Sequence, residues 1–384
     1  MSMSDWKEYK LGEVAAFVKE KIAVHNIATE KYISTENMLP DKGGITVVSS
    51  KPEEGTVTKY YPNTILVSNI RPYFKKIWYA NKEGGCSNDV LCFEAKEGVV
   101  ESKYLFFILS QDMFFDYVML GSKGCKMPRG DKAHIMNWDI SLPSLNEQRR
   151  IALILTSLDD KIDLLRRENA TLETMAETLF RQWFVVEAKE EWEEKPLTDF
   201  IKLVGGGTPK TSEGSYWNGN ICWLSGGDIA NNHKGFVSDS EKHISDNGLN
   251  NSSAKLLPEN ALVVSARGTV GKYCLLSKPM AFSQSNYGIL PAFEGCYFFT
   301  YLLVAYHIDE LQSAAYGSVF DTITTKTFDG VILSIPQNRD EIISFENKVS
   351  PYFEKIKLNQ KQIQTLIQTR DGLLSRLMGG EIKV

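Results

Sequence analysis

The sequence lacks the features that mark several large classes of protein. Its 384 residues include six cysteines without a Cys-x-x-Cys pair and five histidines that do not cluster with them. This excludes a disulfide scaffold and argues against a zinc site, so we expect reduced, buried thiols. The longest apolar stretch, residues 297–308, is too short for a bilayer, and the N-terminus has no apolar secretion segment. We therefore expect a cytoplasmic protein without membrane contact.

A surplus of positive charge is also missing. Lys and Arg number 43 and Asp and Glu number 48, which gives a formal net charge of −5. Proteins that bind nucleic acid tightly on their own usually carry a basic surplus, so this balance argues against such a protein. Apolar residues make up 43% and charged residues 24% of the chain, as in ordinary globular proteins. The length predicts two or three domains.

Catalytic motifs are absent as well. The sequence contains neither a Gly-x-x-x-x-Gly-Lys-Ser/Thr loop nor a His-Glu-x-x-His helix motif. Gly205-Gly-Gly207 precedes Thr208-Pro209 without a strand–helix context, which favours a turn. Ser252 and Lys255 have the Ser-x-x-Lys spacing without a companion motif. We therefore predict no catalytic residue and no metal ligand, and a self-contained methyltransferase or nuclease is disfavoured.

The chain contains an internal repeat. Paired segments recur in the same order at an offset of 186 to 198 positions: Trp6 with Trp192, Ile65–Ser68 with Leu262–Ser265, Ser87-Asn88 with Ser285-Asn286, Gly121-Ser122 with Gly317-Ser318, and Ile140–Pro143 with Leu333–Pro336. Single matches of this kind arise by chance, but their common order and offset do not. The sequence therefore predicts two copies of one unit.

Each copy begins with an α+β globular part. Short runs rich in β-branched and aromatic residues alternate with Gly, Asn and Pro turns, which is typical of strands. The predicted strands are Ile65–Ser68, Ile77–Ala80, Val90–Glu94, Leu262–Ser265 and Tyr273–Leu276. One apolar segment in each copy predicts a single buried helix, at residues 104–118 and 298–312.

Each copy ends in a long helix. Apolar residues follow steps of four and three from Ile151 to Trp183 and from Phe345 to Leu377, which is a heptad seam. The simplest way to cover both seams is to pair the helices. Antiparallel packing about a pseudo-twofold axis sets Asn169 opposite Asn359, and we predict that this buried pair fixes the register. The alternative is that either amide faces solvent. The acidic residues 187–194 are predicted to be a solvated connector.

Basic residues gather in a few loops despite the acidic balance. Arg71, Lys75 and Lys76 lie among aromatic residues, and four cations from Lys123 to Lys132 occupy a Gly-rich stretch. Arg267, Lys272 and Lys326 are sparser counterparts in the second copy. Such loops suit contacts to phosphates and base edges, although a plain solvated surface explains them equally well.

Several segments together resemble one protein family, the specificity (S) subunits of type I restriction–modification systems. The strongest resemblance lies in residues 145–184, from Leu-Asn-Glu-Gln-Arg-Arg to Arg-Gln-Trp-Phe, which is similar to the family's central helical region. The other resembling segments are Gly205–Lys210, Trp223–Ile229, Ile70–Trp78 and Gly85–Asp89. The second helix departs from the pattern, because Asn338-Arg-Asp-Glu replaces the usual Glu-Gln-Arg-like entry.

The resemblance implies an architecture and a function for the whole chain. Two target-recognition domains flank two antiparallel coiled-coil helices, each domain reads half of a bipartite double-stranded DNA sequence, and the helices set the unread spacer. The implied partners are two modification subunits, which bind S-adenosylmethionine, and restriction subunits, which use ATP. This chain would hold no cofactor. Partner subunits that help to surround the DNA would supply positive charge, so the net negative charge of this chain would not prevent DNA binding. The implied ranges are 1–144 and 188–336 for the recognition domains, and 145–187 and 337–384 for the helices.

Two further expectations accompany this prediction. An S subunit without its partners exposes apolar surface, so we expect self-association of the isolated chain. The alternative function is a helical assembly scaffold that does not read DNA.

The candidate DNA contacts are polar residues in loops, many at matching places in the two copies. For each, a plain surface role is an equal alternative. In the first copy they are Ser68, Asn69, Arg71, Lys75, Lys76, Asn88, Lys123, Lys126, Arg129 and Lys132. In the second they are Thr208, Lys210, Asp228, Arg267, Lys272, Ser285, Asn286, Ser318 and Lys326.

Overall fold

The chain forms two compact units in a computed structural model. The structure describes residues 6–46, 48, 50–124, 126–316, 321–336 and 339–384. One unit comprises Met1–Ile162 and Thr365–Val384, and the other comprises Asp163–Gln364. Each unit therefore combines one globular part with a stretch of each long helix. The four domain ranges given by the resemblance stay predictions.

The first unit is built from short strands and helices that precede one long helix. Its elements are β1 (Lys7–Lys10), α1 (Leu11–Val14), β2 (Ala15–Phe17), β3 (Lys21–Ala23), β4 (Tyr32–Ile33), β5 (Thr56–Tyr60), β6 (Ile65–Ser68), β7 (Ile77–Tyr79), β8 (Gly84–Cys86), β9 (Val90–Ala95), α2 (Ser102–Leu109), α3 (Asp112–Leu120), α4 (Lys132–Met136), β10 (Asp139–Leu142) and α5 (Leu145–Arg181). One sheet has the order β2-β9-β6-β7 and another the order β3-β5-β8-β4. Strand β1 pairs with β10.

The second unit repeats this plan. Its elements are β11 (Glu194–Pro196), β12 (Ile201–Gly205), β13 (Trp217–Leu224), α6 (Gly226–Asn231), β14 (Phe236–Val237), β15 (Lys242–Ile244), α7 (Asp246–Asn250), β16 (Leu256–Leu257), β17 (Leu262–Ser265), β18 (Tyr273–Leu276), β19 (Met280–Phe282), β20 (Asn286–Pro291), α8 (Tyr297–Tyr306), α9 (Ile308–Tyr316), α10 (Thr325–Asp329), β21 (Ile332–Ser334) and α11 (Arg339–Met378). Its sheets have the orders β12-β20-β17-β18-β14 and β15-β13-β19-β16, and β11 pairs with β21.

The strand orders confirm the internal repeat. Corresponding strands occupy corresponding places in the first sheet, β2-β9-β6-β7 against β12-β20-β17-β18. The second sheets share three strands, β4-β8-β5 in the first unit and β13-β19-β16 in the second. In each, the middle strand has one parallel neighbour, β4 or β13, and one antiparallel neighbour, β5 or β16. The edges differ, because β3 extends one sheet beside β5 whereas β15 extends the other beside β13. The predicted α+β class and the five predicted strands are confirmed, within a residue or so at their ends.

The prediction of one buried helix per globular part is wrong in detail, because two consecutive helices stand in each place. In the first unit, the Ser110 hydroxyl donates to the Phe106 carbonyl at 2.7 Å and ends α2. Gln111 then takes an extended conformation, from which α3 starts. In the second unit, the break between α8 and α9 falls at His307. Both helices of each pair bury apolar side chains, including Phe114 and Phe115 on α3 and Leu311 on α9, so the apolar pattern continues across the break.

The long helices run antiparallel in each unit. In the second unit, Phe345 near the start of α11 packs against Phe180 and Phe184, 6.0 and 4.9 Å between ring centroids. Further along α11, Asn359 meets the earlier Asn169. In the first unit, Arg370 pairs with Asp159 at 2.9 Å. A turn of π-helix, Gln182–Val186, follows α5.

Polar side chains on these helices also cap the globular helices. In the second unit, the buried Glu346 carboxylate accepts the Phe298 and Phe299 N–H groups at 3.1 and 2.7 Å. In the first unit, the buried Gln148 Oε1 accepts the Glu101 N–H at 2.9 Å. Free N–H groups at the start of α8, and just before α2, therefore find partners on the long helices.

Candidate nucleic-acid interface

Three loops of the first unit meet at one edge of the sheet β2-β9-β6-β7. The segment after β6 is tied to the one before β9 by the Asn69 N–H, which donates to the Asp89 carbonyl at 2.8 Å. The Gly130 N–H donates to the Asn69 carbonyl at 3.2 Å, and Lys123 and Arg129 exchange two backbone hydrogen bonds of 3.0 Å. Backbone bonding therefore fixes these loops as one surface.

The loops enclose a cavity of about 330 Å³. Half of the DNA-contact residues predicted for the first copy line it, together with two carboxylates and one glycine. The lining residues are Asn69, Asn88, Asp89, Lys123, Arg129, Gly130, Asp131 and Lys132. Gly130 allows close packing beside the cavity, because a Cβ atom there would lie 2.7 Å from Asn69 Oδ1 and 2.8 Å from Val118 Cγ1.

Acidic partners balance the cations of this cavity. The Arg129 guanidinium contacts the Asp89 carboxylate at 2.7 Å, and Lys123 contacts Asp131 at 2.7 Å. Asp131 also accepts the N–H groups of Ala133 and His134 at the start of α4. The hydrogen bond from Lys123 and these N–H groups lower the pKa of Asp131 to about 2. The cavity is therefore polar but nearly neutral.

Two buried polar atoms beside these loops have no hydrogen-bond partner among the described residues, Asn69 Oδ1 and Arg71 Nε. Buried polar atoms are normally satisfied, so each unpartnered one calls for an explanation. Asn69 Oδ1 lies beside Gly130, and Arg71 takes a left-handed conformation with φ of 49°. Amide and guanidinium groups are the usual readers of base edges in the major groove, adenine and guanine respectively.

The remaining predicted residues of the first copy do not line the cavity. Ser68 is buried and its hydroxyl donates to the Ile70 carbonyl at 3.0 Å. Lys75 shares Asp112 with Lys42, each at 2.9 Å. Lys76 donates to the Thr35 carbonyl at 2.7 Å, and burial lowers its pKa. Lys126 is exposed. Ser68, Lys75 and Lys76 are therefore engaged in hydrogen bonds or ion pairs within the protein.

Sequence reasoning missed the acidic half of this site. Asp89 stands inside the Gly85–Asp89 segment, and Asp131 follows the Gly-rich stretch, but neither was predicted to contribute. The position of Asp131 just before a short helix was a usable signal, because aspartate is a preferred N-cap. Nothing in the sequence indicates the pairing of Asp89 with Arg129, which lies 40 positions away.

The second unit places its corresponding loops in the same way. The Ala266 N–H donates to the Ser285 carbonyl at 3.0 Å, as Asn69 does to Asp89. Asn286 is buried, its Nδ2 donates to Ser283 Oγ at 2.9 Å, and its Oδ1 has no partner among the described residues. Arg267 is exposed after β17. Each unit thus holds an unpartnered asparagine oxygen near the ends of its central strands.

Other predicted residues of the second copy have varied settings. Asp228 forms a capping box with Ser225, the N-cap of α6, and its carboxylate accepts the Ser225 N–H at 2.8 Å. It also accepts the Glu241 N–H at 3.0 Å, so hydrogen bonds within the protein already engage this predicted DNA contact. Thr208 donates to the Gln284 side chain. The Lys272 carbonyl accepts the Ser265 N–H at 2.7 Å. Lys210 and Lys326 are exposed, and Ser318 lies outside the described residues.

The two central asparagines are apposed, as the heptad register predicts. Asn359 Nδ2 donates to Asn169 Oδ1 at 2.8 Å and to Glu168 Oε2 at 2.9 Å. Asn359 is fully buried and its own Oδ1 has no partner within the described ranges. A role for this pair in setting the register stays a prediction.

Fold and loops together define a class of protein. The chain carries two α+β domains of one plan, each presenting polar loops from a rigid sheet, joined to paired long helices. In the described part of the chain no helix has both the length and the apolar character to cross a membrane.

Comparison with known proteins identifies the family. The type I restriction modification DNA specificity domain matches residues 3–174 and again 189–368. The chain belongs to this family and is a specificity subunit of a type I restriction–modification system. Subunits of this kind act on DNA in a complex with the other subunits of such a system.

Individual relatives agree over most of the chain. The specificity subunit of the type I restriction enzyme HindI from Haemophilus influenzae is 25% identical, covering 99% of this chain and 100% of the relative. The MjaIX specificity subunit from Methanocaldococcus jannaschii is 27% identical over 75% of this chain and 71% of its own. The crystal structure of the S subunit from M. genitalium superposes with a TM-score of 0.65 at 14% identity, covering 97% of this chain and 96% of the other, which supports the fold.

Proposed function

We propose that each globular part reads one half of a bipartite double-stranded DNA target. The cavity of the first unit carries this proposal, because Asn69, Asn88 and Arg129 reach one space of about 330 Å³ from separate loops. Hydrogen bonds from such side chains to base edges give sequence specificity. Asn88 and Arg129 are exposed in this cavity, so their amide and guanidinium groups are the ones that a base edge can reach.

Charge supports a reader of bases more than a binder of phosphates. Arg129 and Lys123 are both paired with carboxylates, and the chain carries a net charge of −5. Affinity for any DNA depends mainly on cations that neutralise phosphates. We infer that the partner subunits supply most of these cations, whereas this chain selects the sequence.

The helices take the other roles in the proposal. The paired helices set the unread spacer and dock two modification subunits, and restriction subunits join that complex. The modification subunits bind S-adenosylmethionine and the restriction subunits use ATP. This chain itself catalyses nothing, in keeping with relatives that are specificity subunits and with a sequence that lacks catalytic motifs.

A methylation map tests the proposal. The chain is co-expressed with its modification subunit in a methylation-free host, and N6-methyladenine is mapped by single-molecule sequencing. We expect a split motif with a fixed spacer. Exchange of residues 5–143 for another recognition domain should change only one half of the motif. An unchanged motif refutes reading by the first domain, and absence of methylation by an assembled complex favours the scaffold function.

Two controls complete the test. The purified chain alone should neither transfer methyl groups nor cut DNA, and either activity would contradict a non-catalytic role. Arg129→Ala should lower specific affinity by about 1–3 kcal/mol if the guanidinium reads a guanine. Lys19→Ala is the matched control, because Lys19 is an exposed cation of the same unit that neither lines the cavity nor belongs to the predicted DNA contacts.

A further inference from the structure

A cysteine, a histidine and an aspartate converge on one sheet edge of the second unit. Strands β13 and β15 pair antiparallel, and Cys222 stands directly opposite His243 in their register. Asp239 lies on the segment leading into β15. The His243 Nε2 atom is 2.9 Å from Asp239 Oδ1 and 3.6 Å from Cys222 Sγ, and Sγ is 3.3 Å from the same carboxylate oxygen. The sequence hides this group because 21 positions separate the cysteine from the histidine.

These three distances match the face of a metal tetrahedron. Zinc bonds of about 2.3 Å to sulfur and about 2.0 Å to nitrogen and oxygen place tetrahedral ligand atoms about 3.3 to 3.6 Å apart. Two of the observed distances already lie in that range. The third, between His243 and Asp239, needs to open by a few tenths of an ångström. Asp239 is exposed and able to make that adjustment.

We propose that Cys222, Asp239 and His243 bind one Zn²⁺ ion, with water as the fourth ligand. Thiolate, imidazole and carboxylate are all zinc ligands, and three protein ligands with one water form a common zinc site. Cys222 is buried, which gives the site an anchored and dry side, whereas Asp239 is exposed and gives the ion a path from solvent. In the described part of the chain, no other group of His, Cys and acidic residues has ligand atoms this close together.

The ion would fix a segment that already supports neighbouring elements. Ser240 Oγ accepts the Trp223 N–H on β13 at 3.0 Å. The Glu241 N–H donates to Asp228, which forms the capping box of α6 with Ser225. Ser240 and Glu241 are the two residues that follow Asp239, so a metal that holds Asp239 against β13 stabilises these contacts together. The competing explanation is a metal-free His243–Asp239 ion pair beside a thiol.

Metal titration of the full-length, untagged chain tests the proposal. The chain, kept reduced without a thiol reagent, is dialysed against Zn²⁺ and its metal content is measured. Co²⁺ serves as the spectroscopic probe, because a bound thiolate gives an intense sulfur-to-cobalt charge-transfer absorption. We expect one metal ion per chain, this absorption, and a melting temperature that rises with zinc concentration. Absence of the charge-transfer absorption at saturating Co²⁺ overturns the proposal.

Variants locate the ion. His243→Gln should weaken zinc binding at least about tenfold and abolish the rise in melting temperature, and this side chain is partly exposed, so folding should survive. Cys222→Ser should remove the charge-transfer absorption. His307→Gln is the matched control, because His307 also pairs with a carboxylate, that of Glu310, but belongs to no such cluster. Unchanged binding in His243→Gln, or loss in His307→Gln, overturns the assignment.

Discussion

Glu346→Gln should abolish part of the pH dependence of stability. Burial raises the pKa of Glu346 from its usual value of about 4.5 to about 7, despite the hydrogen bonds donated by Phe299 and Phe298. A carboxyl whose pKa is higher in the folded chain binds a proton more tightly there. Its contribution to stability is complete below about pH 4.5 and is lost as the pH rises through about 7. The shift corresponds to at most about 3 kcal/mol.

Glutamine at this position resembles the protonated acid and does not titrate. Gln148 already fills the corresponding place in the first unit, where its Oε1 accepts a backbone N–H. We therefore expect the stability of Glu346→Gln relative to the parent chain to be about 1–3 kcal/mol greater at pH 8 than at pH 5. A cost that does not depend on pH adds to this, because the amide NH2 replaces one of the two oxygens that accept the Phe298 and Phe299 N–H groups. Other groups titrate in the same way in both chains, so they cancel when the stability of the parent is subtracted from that of the variant at each pH. Glu173 is one of them, because burial also raises its pKa to about 7.

Urea unfolding at pH 5 and pH 8, followed by tryptophan fluorescence, measures this effect. Hydrogen exchange at the Phe298 and Phe299 amides gives a local measure at the start of α8. Glu354→Gln is the matched control, because Glu354 is an exposed carboxylate on the same helix. The same pH dependence in the parent chain and in Glu346→Gln would refute the reasoning.

Three further substitutions test other features. Asn359→Leu should raise the free energy of unfolding by about 1–2 kcal/mol in urea titrations, because it removes a buried oxygen that has no partner among the described residues. The Asn169 and Glu168 oxygens that lose the Asn359 Nδ2 donor are partly exposed and can bind water instead, and a loss of stability would contradict this reasoning. Gly130→Ala should weaken specific DNA binding by the reconstituted complex about tenfold and leave non-specific binding unchanged, since its Cβ collides with Asn69. Asp89→Asn should tighten non-specific binding about twofold to fivefold and steepen its salt dependence, because it frees Arg129; unchanged binding would show that the pair does not restrain this cation.

The sequence predicted the repeating parts of the fold well. Strands such as Ile65–Ser68 and Leu262–Ser265 were predictable because continuous apolar runs end at turn residues. The heptad seams and the pseudo-twofold axis of the internal repeat placed Asn169 opposite Asn359, because together they fix the antiparallel register. The breaks at Ser110 and His307 were not predictable from the apolar pattern. The hydrogen bond from the Ser110 hydroxyl to the Phe106 carbonyl marks the first break, and the local backbone conformation at His307 marks the second.

The candidate site was predictable only in part. Asn69 and Arg129 could be selected as polar residues in loops, and the structure brings them to one cavity. In the sequence, Lys75 and Lys76 looked like equally good candidates for DNA contact. In the structure, Lys75 forms an ion pair with Asp112 and Lys76 donates a hydrogen bond to the Thr35 carbonyl. Such pairings join residues tens of positions apart, so they depend on the tertiary fold and leave no local signal.

The pairing of β1 with β10, and of β11 with β21, has a consequence for how the chain folds during synthesis. Lys10 leaves the ribosome well before Asp139, its partner across the ladder. Pro196 likewise leaves it well before its partner Ile332. Contacts so distant in sequence form late and slow the folding of a domain. The opening strand of each domain is therefore an unpaired edge until the closing strand arrives, and a chain that stalls just before residue 139 or 332 exposes that edge to aggregation.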